Sequence, residues 1–248
     1  MGSGLASIAN KKSIRLLAIA VGAIAAFACS GDKLTNASVA SAPDDAPVTR
    51  PNIIFLLADD QRSDVTGSAG NTIIQTPNLD ALARQGLSFR NAYVTTPVCA
   101  ISRASIFTGE YASRHGIIDF TTDFTPAQLA QTYPALLRAA GYRTGFIGKF
   151  GVGENPPADM FDYWRGFPGQ GDYMTRDSAG NPIHLTRLQS KQAISFLDTQ
   201  PKGKPFALSI SFKAPHVEDD ASEPFVPEVS DMGMYANVTV PTPVTADD

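Results

Sequence analysis

Four parts of the 248-residue sequence carry side chains that could do chemistry together. Asp59 and Asp60 are adjacent acids that close the apolar run of "PNIIFLLADD". Cys99 and Arg103 stand one helical turn apart in "TPVCAISRASIFTG", Lys149 ends "YRTGFIGK", and His216 ends "FALSISFKAPH". Paired carboxylates are hard oxygen ligands of the kind a divalent cation takes. Lys149 and Arg103 are cations that could meet an anion, and His216 is a group that could exchange a proton. Cys99 is open to four readings: packing, half of a disulfide, metal ligand or nucleophile. Taken singly, all these residues have ordinary uses. Acids after a strand form solvated turns, a strand-end lysine snorkels to the surface, a lone cysteine packs as a small hydrophobe, and a loop histidine satisfies its neighbours. Their joint placement on one framework is what argues for a site.

That framework reads as alternating strands and helices. The apolar run from Ile53 to Ala58 predicts a strand buried on both faces, hence central in a parallel sheet. "TPNLDALARQG" predicts a helix with Thr76 as N-cap, Pro77 in the first turn and Gly86 as its stop. "TYPALLRAAGYRTGFIGKF" predicts a helix from Pro134 to Ala140, a stop at Gly141, then a strand ending at Lys149. "LTRLQSKQAISFLDTQ" predicts another helix and "KPFALSISFKAPH" another strand, closed by His216. The alternation implies one α/β domain with a largely parallel sheet, and no internal repeat is visible. Ligands of such sheets bind beyond the carboxyl ends of the strands. Three strands therefore deliver two acids, a lysine and a histidine to one edge. "ISRASIFTG" predicts a helix stopped by Gly109, which puts Cys99 at or just before its N-terminus, where an anion is favoured. Arg103 falls on the same helix face. "GENPPADMFDYWRGFPGQGDY", with the single Trp164, reads as a long loop and a candidate pocket wall. His115 and His184 are assigned structural places.

The ends of the chain read differently. Residues 1–28 carry Lys11, Lys12 and Arg15, no acid, and the 13-residue apolar run "LLAIAVGAIAAFA". That pattern predicts a secretory signal, so the protein is expected to be exported to the periplasm or cell surface. Cys29 ends "AFAC" in the manner of a bacterial lipoprotein signal, and residues 29–50 form a low-complexity tether, so Cys29 is the expected lipid anchor. A plain signal cut beside an incidental Cys29 is the alternative, and a Cys29–Cys99 disulfide ranks last. A formal charge of −4, a sequence pI near 5.4 and the lack of a basic run argue against a nucleic-acid partner.

From residue 51 onward the blocks "PNIIFLLADDQRSD", "TPNLDALARQGLSFRNAYV", "CAISRASIFTGEY", "GYRTGFIGKFGVG" and "PFALSISFKAPH" resemble the sulfatase family of the alkaline phosphatase superfamily. The resemblance implies that residues 51–248 are the N-terminal part of a sulfatase catalytic domain, with an alkaline-phosphatase-like sheet covered by helices on both faces. It implies hydrolysis of sulfate esters on a sulfated small molecule or glycan. Cys99 would be oxidised to formylglycine by a formylglycine-generating or anaerobic maturing enzyme, giving both the nucleophile and a metal ligand. Asp59 and Asp60 would hold Ca2+, or Mg2+, while Arg103, Lys149 and His216 would complete the site. Phosphodiester and phosphonate monoester hydrolases of the same superfamily are the alternative enzymes, and an inactive, tethered glycan-binding remnant is the non-enzymatic one. Three residues depart from the family pattern: Ile101 stands at the proline of the cysteine signature, Gly151 at a histidine after the lysine, and Glu110 at a common arginine. The resemblance also implies a second Asp-Asn metal pair and a lysine downstream of His216. Asp219–Asp220 and Asp247–Asp248 are too near or too terminal to supply that pair, so the rest of the domain is expected beyond residue 248.

Overall fold

A computed structural model describes residues 50–242. The predictions made for the signal, for the tether up to residue 49, for Cys29 and for Asp247–Asp248 lie outside the described residues. Among those described, no helix is long and apolar enough to cross a membrane.

Among the described residues, six strands and six α-helices are formed. They run in chain order β1 (Ile53–Leu57), α1 (Pro77–Gln85), α2 (Cys99–Thr108), α3 (Ala112–His115), α4 (Pro126–Ala130), α5 (Tyr133–Ala139), β2 (Arg143–Lys149), β3 (Tyr163–Phe167), β4 (Met174–Arg176), β5 (Pro182–His184), α6 (Leu185–Asp198) and β6 (Phe206–Ser211). Four strands make an all-parallel sheet in the order β1-β6-β2-β3, and β4 and β5 form a separate antiparallel pair. Strand alternation sends neighbouring side chains to opposite faces. Phe146 of β2 therefore joins Ala104, Phe107, Phe150 and Phe161 on one side, with Trp164, Leu129 and Tyr133 packed against them. Ile147 joins Phe196, Phe206, Leu208 and Ile210 on the other. Helices α2 and α5 contribute to the first core and α6 to the second, so both faces of the sheet are covered, as expected.

Several local expectations are corrected. β1 is an edge strand among the described residues, not a central one, and its Ile54 and Leu56 remain about half exposed at 50% and 48%. An apolar run records what a strand could bury; it does not record how many neighbours it has. The segment read as a long loop contains β3; its Trp164 packs against the core, stacked on Phe146, while its Tyr163 and Arg165 do line a cleft. Helix α5 begins one residue earlier than predicted. Thr76 precedes α1 but makes no capping bond to it; its hydroxyl accepts from Gly67 N–H at 2.9 Å and donates to Asp80 at 2.9 Å. His216 does not end β6, which stops at Ser211.

Candidate active site

Asp59 lies two residues beyond β1, where its backbone N–H donates to Ala214 O at 3.3 Å across the sheet end. Its carboxylate is buried and takes two cations. Lys149 Nζ approaches Oδ2 at 2.6 Å and Arg103 Nη2 the same oxygen at 3.4 Å. All three side chains are almost wholly enclosed, Lys149 at 1% and Arg103 at 3% exposure. Charges so deep in the protein are tolerable only when paired. Arg103 also donates to Lys149 O at 2.7 Å and to Ser211 Oγ. Burial pulls the Arg103 guanidinium below its ordinary value, and Asp59 opposes that pull. Lys149 Nζ is held from its other side by Gln170 Oε1.

Two glycines make this arrangement possible. Gly148 has φ +99°, and a Cβ there would lie 1.9 Å from Ser211 O. Gly151 has φ +69°, and its Cβ would meet Arg103 Cδ at 2.7 Å and Lys149 Cε at 3.3 Å. Gly148 thus lets β2 lie close to Ser211, the partner of Arg103, and Gly151 lets the chain turn against Arg103 and Lys149, both in a conformation that side chains disfavour.

Cys99 is the first residue of α2, following Val98 as N-cap, and its thiol is free and half-buried. A helix start is the expected place for an anionic group. Cys99, Arg103, Asp59 and Asp60 line one open cleft of about 440 Å³, together with Ser102 and Arg62. Asp60 is itself exposed, at φ +59°, with its Oδ2 3.6 Å from His216 Nε2. The Nδ1 of His216 lies 2.6 Å from Val217 O. A carbonyl can only accept, so Nδ1 carries the proton and Nε2 is the atom free to take up or release one. The six predicted residues are therefore linked: Asp59, Arg103 and Lys149 by direct pairing, Asp60 and Cys99 by the shared cleft, and His216 through Asp60.

Sequence reading missed the supports of that group. Lys213 is 1% exposed, donates to Val217 O at 3.1 Å and sits 5.3 Å from the Tyr173 ring centroid. Tyr173 Oη donates to His216 O at 2.8 Å, and its backbone N–H donates to Glu218 Oε2 at 2.6 Å. Together they clamp the loop that carries His216. Only proximity to His216 could have drawn attention to Lys213, since a lysine after a strand reads as a surface group. His115 and His184 do hold structural places. His115 Nδ1 accepts from Ile117 N–H at 3.1 Å and its Nε2 pairs with Ser105 Oγ at 3.0 Å. His184 Nδ1 accepts from Thr186 N–H at 3.3 Å and its Nε2 reaches Val226 O at 2.9 Å.

The donor chemistry suits a hard cation, but only in part. Among the described residues no group of three or more His, Cys, Asp or Glu side chains is arranged to hold a metal ion. Asp59 and Asp60 supply two carboxylates, whereas calcium takes roughly 6–8 oxygens. These acids fit as a portion of a ligand set, not a whole one.

Comparison with known proteins agrees with this architecture. The family model described as "Sulfatase" matches residues 51–237. An N-acetylglucosamine-6-O-sulfatase of Bacteroides thetaiotaomicron is 34% identical over 215 residues, covering 83% of this chain and 37% of that protein. A solved structure in complex with its substrate D-glucosamine-2-N,6-O-disulfate superposes with a TM-score of 0.69 at 34% identity, over 80% of this chain and 40% of the other. Another, bound to k-i-k-neocarrahexaose, gives a TM-score of 0.65 at 29% identity, over 77% of this chain and 49% of the other. The chain spans between about a third and a half of the length of the curated relatives it matches. With the family model covering most of the sequence, the chain belongs to the sulfatase family.

Proposed function

We propose that this chain carries the N-terminal part of the catalytic site of an exported sulfatase acting on sulfated sugars. The observation that carries the reading is the buried Asp59, shared by Lys149 and Arg103 beside the cleft that Cys99 and Asp60 line. A cluster of two cations around one carboxylate, at the start of a helix, is built for an anion that arrives with its own charge. Cys99 converted to formylglycine would supply, as its hydrate, the hydroxyl that attacks the ester sulfur. Asp59 and Asp60 would contribute to holding Ca2+, or Mg2+, which would steady the charge on sulfate oxygens.

The chain's own residues have separable tasks. Arg103, locked by Lys149 O and Ser211 Oγ, keeps positive charge one turn behind Cys99. Lys149, held by Asp59 and Gln170, keeps a second positive charge buried against the Asp59 carboxylate that lines the cleft. His216 releases a proton from Nε2 to the departing alcohol oxygen, and Asp60 steadies the imidazolium that precedes that step. The sugar-sulfate reading is supported by the N-acetylglucosamine-6-O-sulfatase relative and by the glucosamine disulfate bound to the structural neighbour. Export and lipid attachment at Cys29 are supported by the N-terminal sequence alone. A maturing enzyme that oxidises Cys99 is the partner this reading requires.

The test is substrate preference in the protein matured at Cys99. Turnover of N-acetylglucosamine 6-sulfate or an aryl sulfate should exceed that of an aryl phosphate diester and an aryl phosphonate. Preference for a phosphorus substrate would overturn the sulfatase reading, and sulfated-sugar binding without any turnover would mark the inactive remnant instead.

A further inference from the structure

A second cleft opens on the α6 side of the sheet, with no residue in common with the one at Cys99. It has a volume of about 540 Å³ and lies between the outer strand β3, the turn joining β4 and β5, and helix α6. Each of these elements brings a cation: Arg165 from β3, Arg176 from β4 and Lys191 from α6. All three are exposed, and among the described residues none of them forms an ion pair. The one acid in the cleft, Asp177, spends its carboxylate on its own turn, accepting from the backbone N–H groups of Ala179 and Asn181 at 2.9 Å each. Three cations against one engaged acid leave the cleft positive in a chain whose formal charge is −4. Like charges gathered in a concavity repel one another and focus a positive potential, an arrangement an anionic ligand relieves.

The two arginines are also oriented. Arg165 lies over the Tyr163 ring, 4.8 Å from its centroid, and donates once to Trp164 O at 2.7 Å. Arg176 donates once to Gly180 O at 2.7 Å. Both forks are thereby fixed at one end with most of their N–H donors unspent, as bidentate recognition of an oxyanion needs. Ser178, Gln192 and Ser195 add hydroxyl and amide groups suited to sugar hydroxyls. Tyr163 is already occupied by Arg165 on its face and by Phe196 at its edge, so no free aromatic platform remains for a base.

We propose that this cleft is a second binding site for a sulfated oligosaccharide, holding a charged stretch of glycan away from the cleft at Cys99. The choice of sulfate over other oxyanions rests on the sulfatase reading above; the anion site itself does not. The test uses the full chain with a heparin-derived hexasaccharide and its desulfated counterpart, read by calorimetry without any turnover. In the Cys99→Ser background the sulfated probe should still bind, the desulfated one should not, and affinity should fall as salt rises. Arg165→Ala combined with Arg176→Ala and Lys191→Ala should weaken binding at least tenfold with an unchanged thermal midpoint. Arg176→Glu alone should weaken it similarly. Unchanged affinity in both variants, equal binding of the desulfated sugar, or equal binding of a single-stranded oligonucleotide would overturn the proposal. Because binding is read without catalysis, its failure is distinct from failure of the sulfatase reading, which shows in Cys99 maturation and turnover.

Discussion

Asp59 is the residue on which the site balances. Removing its carboxylate leaves Lys149 and Arg103 buried together without a counter-charge. Asp59→Ala should therefore cost about 3–5 kcal/mol in denaturant unfolding, the range for breaking one side of a buried ion pair. A loss below about 1 kcal/mol, the level of an exposed pair, would contradict the burial described. Gly151 supplies a second prediction. Its place at a histidine of the family pattern looks like a lost function from sequence alone, but the backbone there sits at φ +69° against Arg103. Gly151→His should destabilise by about 1–3 kcal/mol from the left-handed backbone alone, and should lower activity where a simple restoration would raise it. The paired acids, Cys99, Arg103 and Lys149 were legible because strand ends and helix starts are visible as patterns. Gln170 and Ser211 were not, because their partners lie 21 and 108 positions away, and no local pattern records those partners; Lys213 was not, because its burial against Tyr173 is set by the fold.

At the scale of elements, helix α2 joins the site to the core, with Cys99 at its start and Phe107 near its end against Tyr133, Phe146 and Phe150. His115 at the end of α3 ties into the same helix through Ser105. Burial holds the His115 imidazole below its ordinary value, with Glu110 opposing. The folded protein thus binds fewer protons there than the unfolded chain, so stability rises with pH through this group and is lost as pH falls below about 6.5, the ordinary histidine value. His115→Gln should flatten the stability profile on that acidic limb, as followed by thermal unfolding at a series of pH values. An unchanged profile would assign the acid sensitivity elsewhere. The alternating helices and strands were readable from caps, prolines and apolar runs. β3 was not, because its Gly- and Pro-rich flanks imitate a loop, while its pairing with β2 over five residues is a tertiary fact.

For the whole molecule, the parallel sheet explains both what is assembled and what is left uncovered. Among the described residues, β6 and β2 lie inside and are buried, whereas β1 at the edge exposes Ile54 and Leu56. An apolar edge strand pairs readily with other chains. The 248-residue chain should therefore self-associate with rising concentration in sedimentation, and Ile54→Lys should suppress this. Sedimentation as a monomer at all concentrations would show that the edge is covered in solution. The fold class followed from the element order, but the position of β1 in the sheet did not, since strand order is decided by long-range pairing. The central claim is that this architecture presents Cys99 as the precursor of a formylglycine nucleophile. Its most direct test is mass spectrometry of the tryptic peptide spanning residues 91–103, from protein produced with a formylglycine-generating enzyme. The account predicts an aldehyde in place of the Cys99 thiol, with Ile101 tolerated; a peptide that retains the thiol throughout would contradict it.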